Sequence, residues 1–448
     1  MKQGRRAVLG MALLGGVGQV FGGSAKTSVA VPPAPYGELD TALTAISRAP
    51  ALQLASMSVL AIRDGKIAYE FQTGMRSIGV HGAPSKAANE RTLYRMASIS
   101  KMMTTLGVMR LVEDGKLALD ADAGDYLGYP LRNPHFPNQP ITLRTLLNHT
   151  STLRDDLGYS FPAATSLKSL LLAGGELYGN GAMWAPTAPP GRYFTYSNLN
   201  WGVIGTIMER VSGERFDRLM KRLLLDPMGL HGGYNPSEFS AEDLSNLATL
   251  YRKRTTDTEI WHSAGPWIAQ VDDYSKRPPA KPAGIDSYVI GTNATPFSPT
   301  GGMRMSARGM GKVMLMLMNE GKHEGRQILR ADTLATMFSR QWSFDGSNGD
   351  TDKGLFNYWG LGNQHFVDQP GMQMVEGGGF AGVGHLGEAY GLMSVFAADL
   401  AAKNGMIVLV GGVSSDPAAY KSKSSAMARF EEQILTAMHR HVIVGKEN

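Results

Sequence analysis

Met96-Ala97-Ser98-Ile99-Ser100-Lys101-Met102-Met103 is the stretch from which the rest of the chain can be read. It contains Ser98-x-x-Lys101, the only serine followed three places later by lysine in the 448 residues. Met102, Leu106, Met109 and Val112 recur at helical spacing, which predicts a buried helix opening at Ser98. A serine at that position meets free backbone N–H groups and the positive end of the helix dipole, both of which favour a developing negative charge. Lys101 lies one turn on, on the same face, within reach of the hydroxyl. Apolar surroundings disfavour an ammonium, and an amine so depressed can turn a serine into a nucleophile. The plainer reading of the same residues is a capping serine beside a solvated lysine.

N-terminal to this helix, residues 57–62 and 67–71 are apolar runs separated by Asp64-Gly65, a hairpin signal. Leu39, Leu43 and Ile46 predict a short helix before them, and residues 74–90 read as a polar loop. On the C-terminal side, Thr142 caps a short helix through Leu147, followed by His149, which is expected to bond backbone where the helix ends. Tyr196-Ser197-Asn198 precedes a second apolar helix, Leu199 to Val211, stopped by Gly213. Residues 232–300 are polar and proline-bearing and could overhang a cleft. Ser306 caps a further helix whose Met310, Met314, Met316 and Met318 read as core filler. Residues 390–397 and 406–410 read as strands, and Phe430, Ile434, Met438 and Val442 mark a closing helix.

Strand-like elements therefore sit at both ends and helices fill the middle. The expected fold is α+β: an antiparallel sheet from residues 38–95 and 301–448, flanked by the terminal helices, with a mostly helical region 96–300 inserted. A site would lie at the seam.

The chain has no cysteine, which excludes disulfides, a cysteine nucleophile and thiolate metal sites. Lys2, Arg5 and Arg6 precede a 15-residue, largely apolar stretch, 7–21, shorter than the ~20 a membrane span needs. Residues 1–25 thus read as a signal peptide, and the paired arginines suggest the twin-arginine route. Residues 26–37 read as a linker. The expected protein is exported, periplasmic or secreted from a bacterium, with no membrane span left after leader cleavage. Three of the formal +5 charges lie in the leader, which holds no acid, so the remaining +2 is no sign of a nucleic-acid partner. The Gly-x-Ser-x-Gly elbow, the His-Glu-x-x-His zinc motif and the phosphate-binding loop are all absent, and no metal or organic cofactor is expected.

Taken together, Ser98-x-x-Lys101, Tyr196-x-Asn198 and the late His385-Leu386-Gly387 resemble the serine β-lactamase and penicillin-binding-protein superfamily, most closely its class C branch. That branch includes D-alanyl-D-alanine carboxypeptidases, D-aminopeptidases and esterases. The segments 141–151, 227–230 and 298–302 are similar to stretches recurring there, so the resemblance spans roughly residues 40–440. Tyr178-Gly179-Asn180 also fits the second motif, but it lacks the following apolar helix. Many members carry Lys-Thr-Gly as the third motif. Here His385-Leu386-Gly387 stands in its place, and Leu386 offers no hydroxyl, which lowers the expectation of efficient β-lactam hydrolysis.

The resemblance implies acyl transfer to Ser98, with Lys101 and Tyr196 handling its proton; which of the two is the base is left open. Asn198 would bond substrate or orient Lys101. Backbone N–H groups of Ser98 and of Glu388, just after Gly387, would form the oxyanion hole, and His385 would donate to a substrate carbonyl or carboxylate. The substrate would be a D-amino-acid peptide, cell-wall fragments included, a short ester or a β-lactam. The rival reading is a pseudoenzyme that keeps the fold and binds a cell-wall peptide without turnover.

Overall fold

A computed structural model describes residues 36–80, 82–256 and 258–445. The expected signal peptide and nearly all of the linker lie outside the described residues. The elements used below are α1 (Gly37–Ser47), β1 (Ser56–Arg63), β2 (Lys66–Ser77), α2 (Ile99–Glu113), α3 (Leu199–Ser212), β3 (Leu250–Lys253), β4 (Trp267–Val271), α4 (Ala307–Met318), β5 (Gly382–Ala389), β6 (Leu392–Asp399), β7 (Asn404–Val410) and α5 (Arg429–Met438).

Asp64 and Gly65 both take positive φ and close the β1–β2 hairpin, the two-residue turn that matches strand twist. Its other neighbour comes from the far end of the chain: β1 pairs antiparallel with β7, Met57 opposite Val410 through Ile62 opposite Gly405. Among the described residues the sheet has nine strands, ordered Trp342–Ser343, Tyr358–Trp359, Gln364–Phe366, β5, β6, β7, β1, β2, Lys86–Ala87. Alternation along the strands feeds two cores. Leu60, Ile62, Phe396, Ile407 and Leu409 face α2, α3 and α4. Met57, Val59, Val395, Met406 and Val408 face α1 and α5. Covering both faces explains why the central strands carry few polar side chains.

Several expectations needed correction. The stretch 74–90 is not wholly loop: β2 runs on to Ser77, and Lys86–Ala87 pairs with it as an exposed edge, which leaves no apolar alternation to see. The strand expected over 390–397 is present as β6 from Leu392, but Tyr390 and Gly391 form a hairpin turn before it, and His385-Leu386-Gly387, expected just ahead of that strand, itself lies on the hairpin's other strand, β5. The middle region also contains strands, since β3 pairs with β4 and with Gly412–Val413 to make a small second sheet. Finally, the core beneath α2 and α3 runs without a break onto the sheet, so the helical region and that sheet face share one interior. Among the described residues no helix is long and apolar enough to cross a membrane.

Candidate active site

α2 is buried on every side from Ile99 to Met109, so its first turn is held from all directions. Ser98 occupies the N-cap position but makes no side-chain capping bond, which removes the plainer reading of it. Ala97 before it has φ +45°, a left-handed value that costs an alanine energy and turns the chain sharply into the helix.

Lys101 is fully buried. Its Nζ lies 2.9 Å from Ser98 Oγ, 2.8 Å from Asn198 Oδ1 and 3.2 Å from the Thr300 carbonyl. All three partners are uncharged. Desolvation pushes the amine down to about 7, with the charge of Asp155 pulling it partly back. The Tyr196 ring sits 4.9 Å from the same nitrogen. Burial raises the Tyr196 phenol above its ordinary value, and a hydrogen bond with Ser98 offsets part of that rise. Tyr196 is fixed by aromatic packing: it stacks on Phe356 at 4.8 Å and on His149 at 4.4 Å, with Trp359 against its edge.

Asp155 organises the second motif. It accepts from Ser197 Oγ at 3.0 Å, from the Asn198 and Leu199 backbone N–H groups at 2.9 Å, and from Asn198 Nδ2 at 2.9 Å. The carboxylate thus caps α3 and turns the Asn198 amide so that its oxygen faces Lys101. Thr300 Oγ1 donates to that oxygen at 2.7 Å. Sequence reading missed Asp155 and Thr300. Asp155 lies 43 residues before Asn198 with no motif around it, while Thr300 enters the sequence reading only inside the segment 298–302.

His149 does bond backbone, as expected: its Nδ1 accepts from the Ser197 N–H at 3.0 Å. Tyr178 packs against the core and does not line the cleft.

β5 forms the opposite wall. A Cβ on Gly387 would lie 2.7 Å from the Met96 carbonyl and 2.4 Å from Ser394 Oγ, so only glycine lets the strand come this close to the start of α2. Ala389 and Leu392 flank the two-residue turn and form a hydrogen-bonded pair. By alternation, Glu388 directs its N–H away from β6. The neighbouring strand Gln364–Phe366 pairs only as far as Gly384, leaving that edge open at Glu388. His385 corrects an expectation. Its Nδ1 bonds the Leu386 carbonyl, and burial beside Lys101 pushes its pKa down to about 3. A neutral ring with that N–H engaged has only a lone pair at Nε2, so His385 can accept but not donate there.

Ser98, Tyr196, Asn198, His385, Gly387 and Glu388 all line one cavity of about 840 Å³ at the seam between helices and sheet. Of residues 232–300, the last few reach it, while Arg252 and Gln270 on β3 and β4 border an adjoining hollow. Among the described residues no cluster of metal-ligating side chains occurs.

Comparison with known proteins bears on the architecture as a whole, because the family model described as Beta-lactamase matches residues 43–426. The chain belongs to the beta-lactamase family. Among curated members of this family, penicillin-binding protein 4* of Bacillus subtilis is 29% identical over 215 residues, 48% of this chain and 42% of that protein. The chain therefore matches less than half the length of that relative. The D-amino acid amidase of Ochrobactrum anthropi SV3 has the same fold, with a TM-score of 0.59 at 18% identity over 90% of this chain and 99% of that one. The beta-lactamase/D-alanine carboxypeptidase of Yersinia pestis gives 0.58 at 17% identity, over 89% and 94%. This is the α+β family fold expected from the sequence, with a large antiparallel sheet.

Proposed function

We propose that this protein is a serine hydrolase that cleaves an amide or ester through an acyl-enzyme on Ser98. The observation that carries this reading is the Lys101 amine: fully enclosed, ringed by neutral partners and 2.9 Å from the Ser98 hydroxyl. A neutral amine has two N–H bonds and one lone pair. Asn198 and Thr300 take the two N–H bonds, and the lone pair is left for the Ser98 proton.

Lys101 is therefore the base, and Tyr196 stays a phenol. As Ser98 Oγ bonds to the substrate carbonyl carbon, its proton moves to Lys101 Nζ. The oxyanion settles between the N–H groups of Ser98 and Glu388. Collapse breaks the bond to the leaving group, which takes the proton through the Tyr196 hydroxyl. Water then attacks the acyl carbonyl, gives its proton back along the same path and frees Ser98.

The amidase and carboxypeptidase relatives support small D-amino-acid amides or peptides, cell-wall fragments included, as the substrate class. Leu386 packs toward the α5 core and brings no hydroxyl to the cleft, so β-lactams should be poor substrates. The leader-like residues 1–25 support action outside the cytoplasm. The direct test is a neutral fluorophosphonate followed by peptide mapping. An adduct on the Ser98 peptide, absent in Ser98→Ala, is expected. A folded protein that takes no adduct would sink the reading in favour of a binding-only role.

A further inference from the structure

Arg95 lines the same cavity, three residues before Ser98, on the short strand Tyr94–Arg95 that pairs with Arg304–Met305. Its Nε donates to the Gly301 carbonyl at 3.1 Å. Its two terminal nitrogens have no hydrogen-bond partner among the described residues, and no carboxylate there lies within ion-pair distance. The nearby acid is taken: Asp272 binds Arg304 through both oxygens, at 2.7 and 3.1 Å, and also accepts from Tyr274. Most other arginines around the fold reach a carboxylate, as Arg132 does with Asp122 and Arg215 with Asp217.

Two phenols surround this unmatched cation. The Arg95 guanidinium lies over the Tyr390 ring at 5.3 Å. Tyr390 is held at the β5–β6 turn, where its φ of +57° presents it from the hairpin tip. Tyr159 lines the same cavity, close enough for its hydroxyl to feel Tyr390, Asp155 and Arg95. Neither phenol has a hydrogen-bond partner among the described residues. Burial and the Arg304 charge push the Arg95 guanidinium down to about 10, with the Asp272 charge pulling it partly back, so it remains a cation at neutral pH with no carboxylate in direct contact. The cavity's other cations do not compete for this role. Lys101 is enclosed, His385 is neutral, Lys421 stands exposed near Glu388 and Glu431, and Lys353 is exposed next to Asp352 in the chain.

We propose that Arg95, with the hydroxyls of Tyr159 and Tyr390, forms a subsite for a carboxylate of the substrate. The free edge of a guanidinium offers two parallel N–H bonds matched to the two oxygens of a carboxylate. The subsite makes the preferred substrate an anion, such as a D-amino-acid peptide with a free carboxylate, rather than the corresponding amide or a neutral ester. This deepens the serine-hydrolase reading and rests on it only in placing the carboxylate near Ser98.

The test uses Ser98→Ala protein, which holds ligand without turnover, and two probes: N-acetyl-D-alanyl-D-alanine and its C-terminal amide, titrated by calorimetry. The acid should bind about tenfold or more tightly than the amide, the worth of a charged hydrogen-bonded pair. Adding Arg95→Gln should abolish that preference, and Arg95→Lys should keep part of it. Equal binding of the two probes, no binding of the acid, or a preference that survives Arg95→Gln would each overturn the subsite. Should Arg95→Gln fail to fold, Tyr390→Phe at the exposed turn should still cut the preference about threefold, and an unchanged preference there would overturn it too. Fluorophosphonate labelling of unaltered protein separates the two ideas. Labelling without a carboxylate preference removes the subsite and leaves the hydrolase; a preference without labelling does the reverse.

Discussion

The two walls of the cleft are built to opposite rules. On the helical wall the groups that set up Ser98 are partnered: Lys101 by Ser98, Asn198 and Thr300, the Asn198 amide by Asp155, Lys101 and Thr300, and Asp155 by four donors. On the strand wall the polar groups are left open, with His385 Nε2 unpaired and the Glu388 edge unoccupied by any neighbouring strand. The difference reflects what each wall has to do. A base must be held dry and still in one geometry, because desolvation sets its proton affinity and fixed dipoles cost nothing to reorganise during reaction. A wall that receives substrate must keep donors and acceptors unspent, because bonds already made inside the protein cannot be made again to a ligand.

That contrast can be broken by substitution. The largest effect is expected on the helical wall. Tyr196→Phe should slow acylation by roughly 10²–10⁴, the worth of a positioned acid–base group. Tyr178→Phe should leave the rate alone, and if the two results come out reversed the wrong tyrosine has been placed in the site. On the strand wall, Gly387→Ala puts a methyl group against the Met96 carbonyl and pushes β5 away from α2. A loss of about 10² in acylation is expected from a displacement on the order of 1 Å. A fully active Gly387→Ala would show that the walls need not meet so closely.

The pH profile sharpens the comparison. Only the neutral Lys101 amine can accept the Ser98 proton, so acylation should rise with pH, reach half its maximum near pH 7 and then stay level. Below that midpoint the rate should fall about tenfold per pH unit. A profile that climbs only near pH 10, where an unshifted tyrosine or lysine titrates, would assign the base wrongly. The smallest effect is the most specific. Asp155 raises the Lys101 pKa by its charge, so Asp155→Asn should move the midpoint to lower pH. A midpoint that stays put, or moves up, would reduce Asp155 to a cap for α3.

Much of this was legible locally. The Asp64-Gly65 hairpin, the caps at Thr142 and Ser306 and the stop at Gly213 are written in residues adjacent to the feature they make. The buried helix from Ile99 was legible because its apolar spacing continues for several turns. Other features left little trace. β5 carries His385, Gly387 and Glu388 among small residues, so its alternation is hidden by the demands of the cleft. Arg95 belongs to no motif read from the sequence, and its lack of a carboxylate partner is visible only once Asp272 is seen bound to Arg304.

The sequence by itself determined the main helices, the first hairpin and the Ser98–Lys101 pair, because helical periodicity, turn chemistry and one-turn spacing act over a few residues. Only the tertiary structure decided that Lys101 is dry, that burial raises the Tyr196 phenol, that the His385 Nδ1 is engaged by the Leu386 carbonyl and that Asp155 aims Asn198. Those properties come from desolvation and from partners far apart in the chain, and neither exists until the sheet has joined both ends and closed over α2.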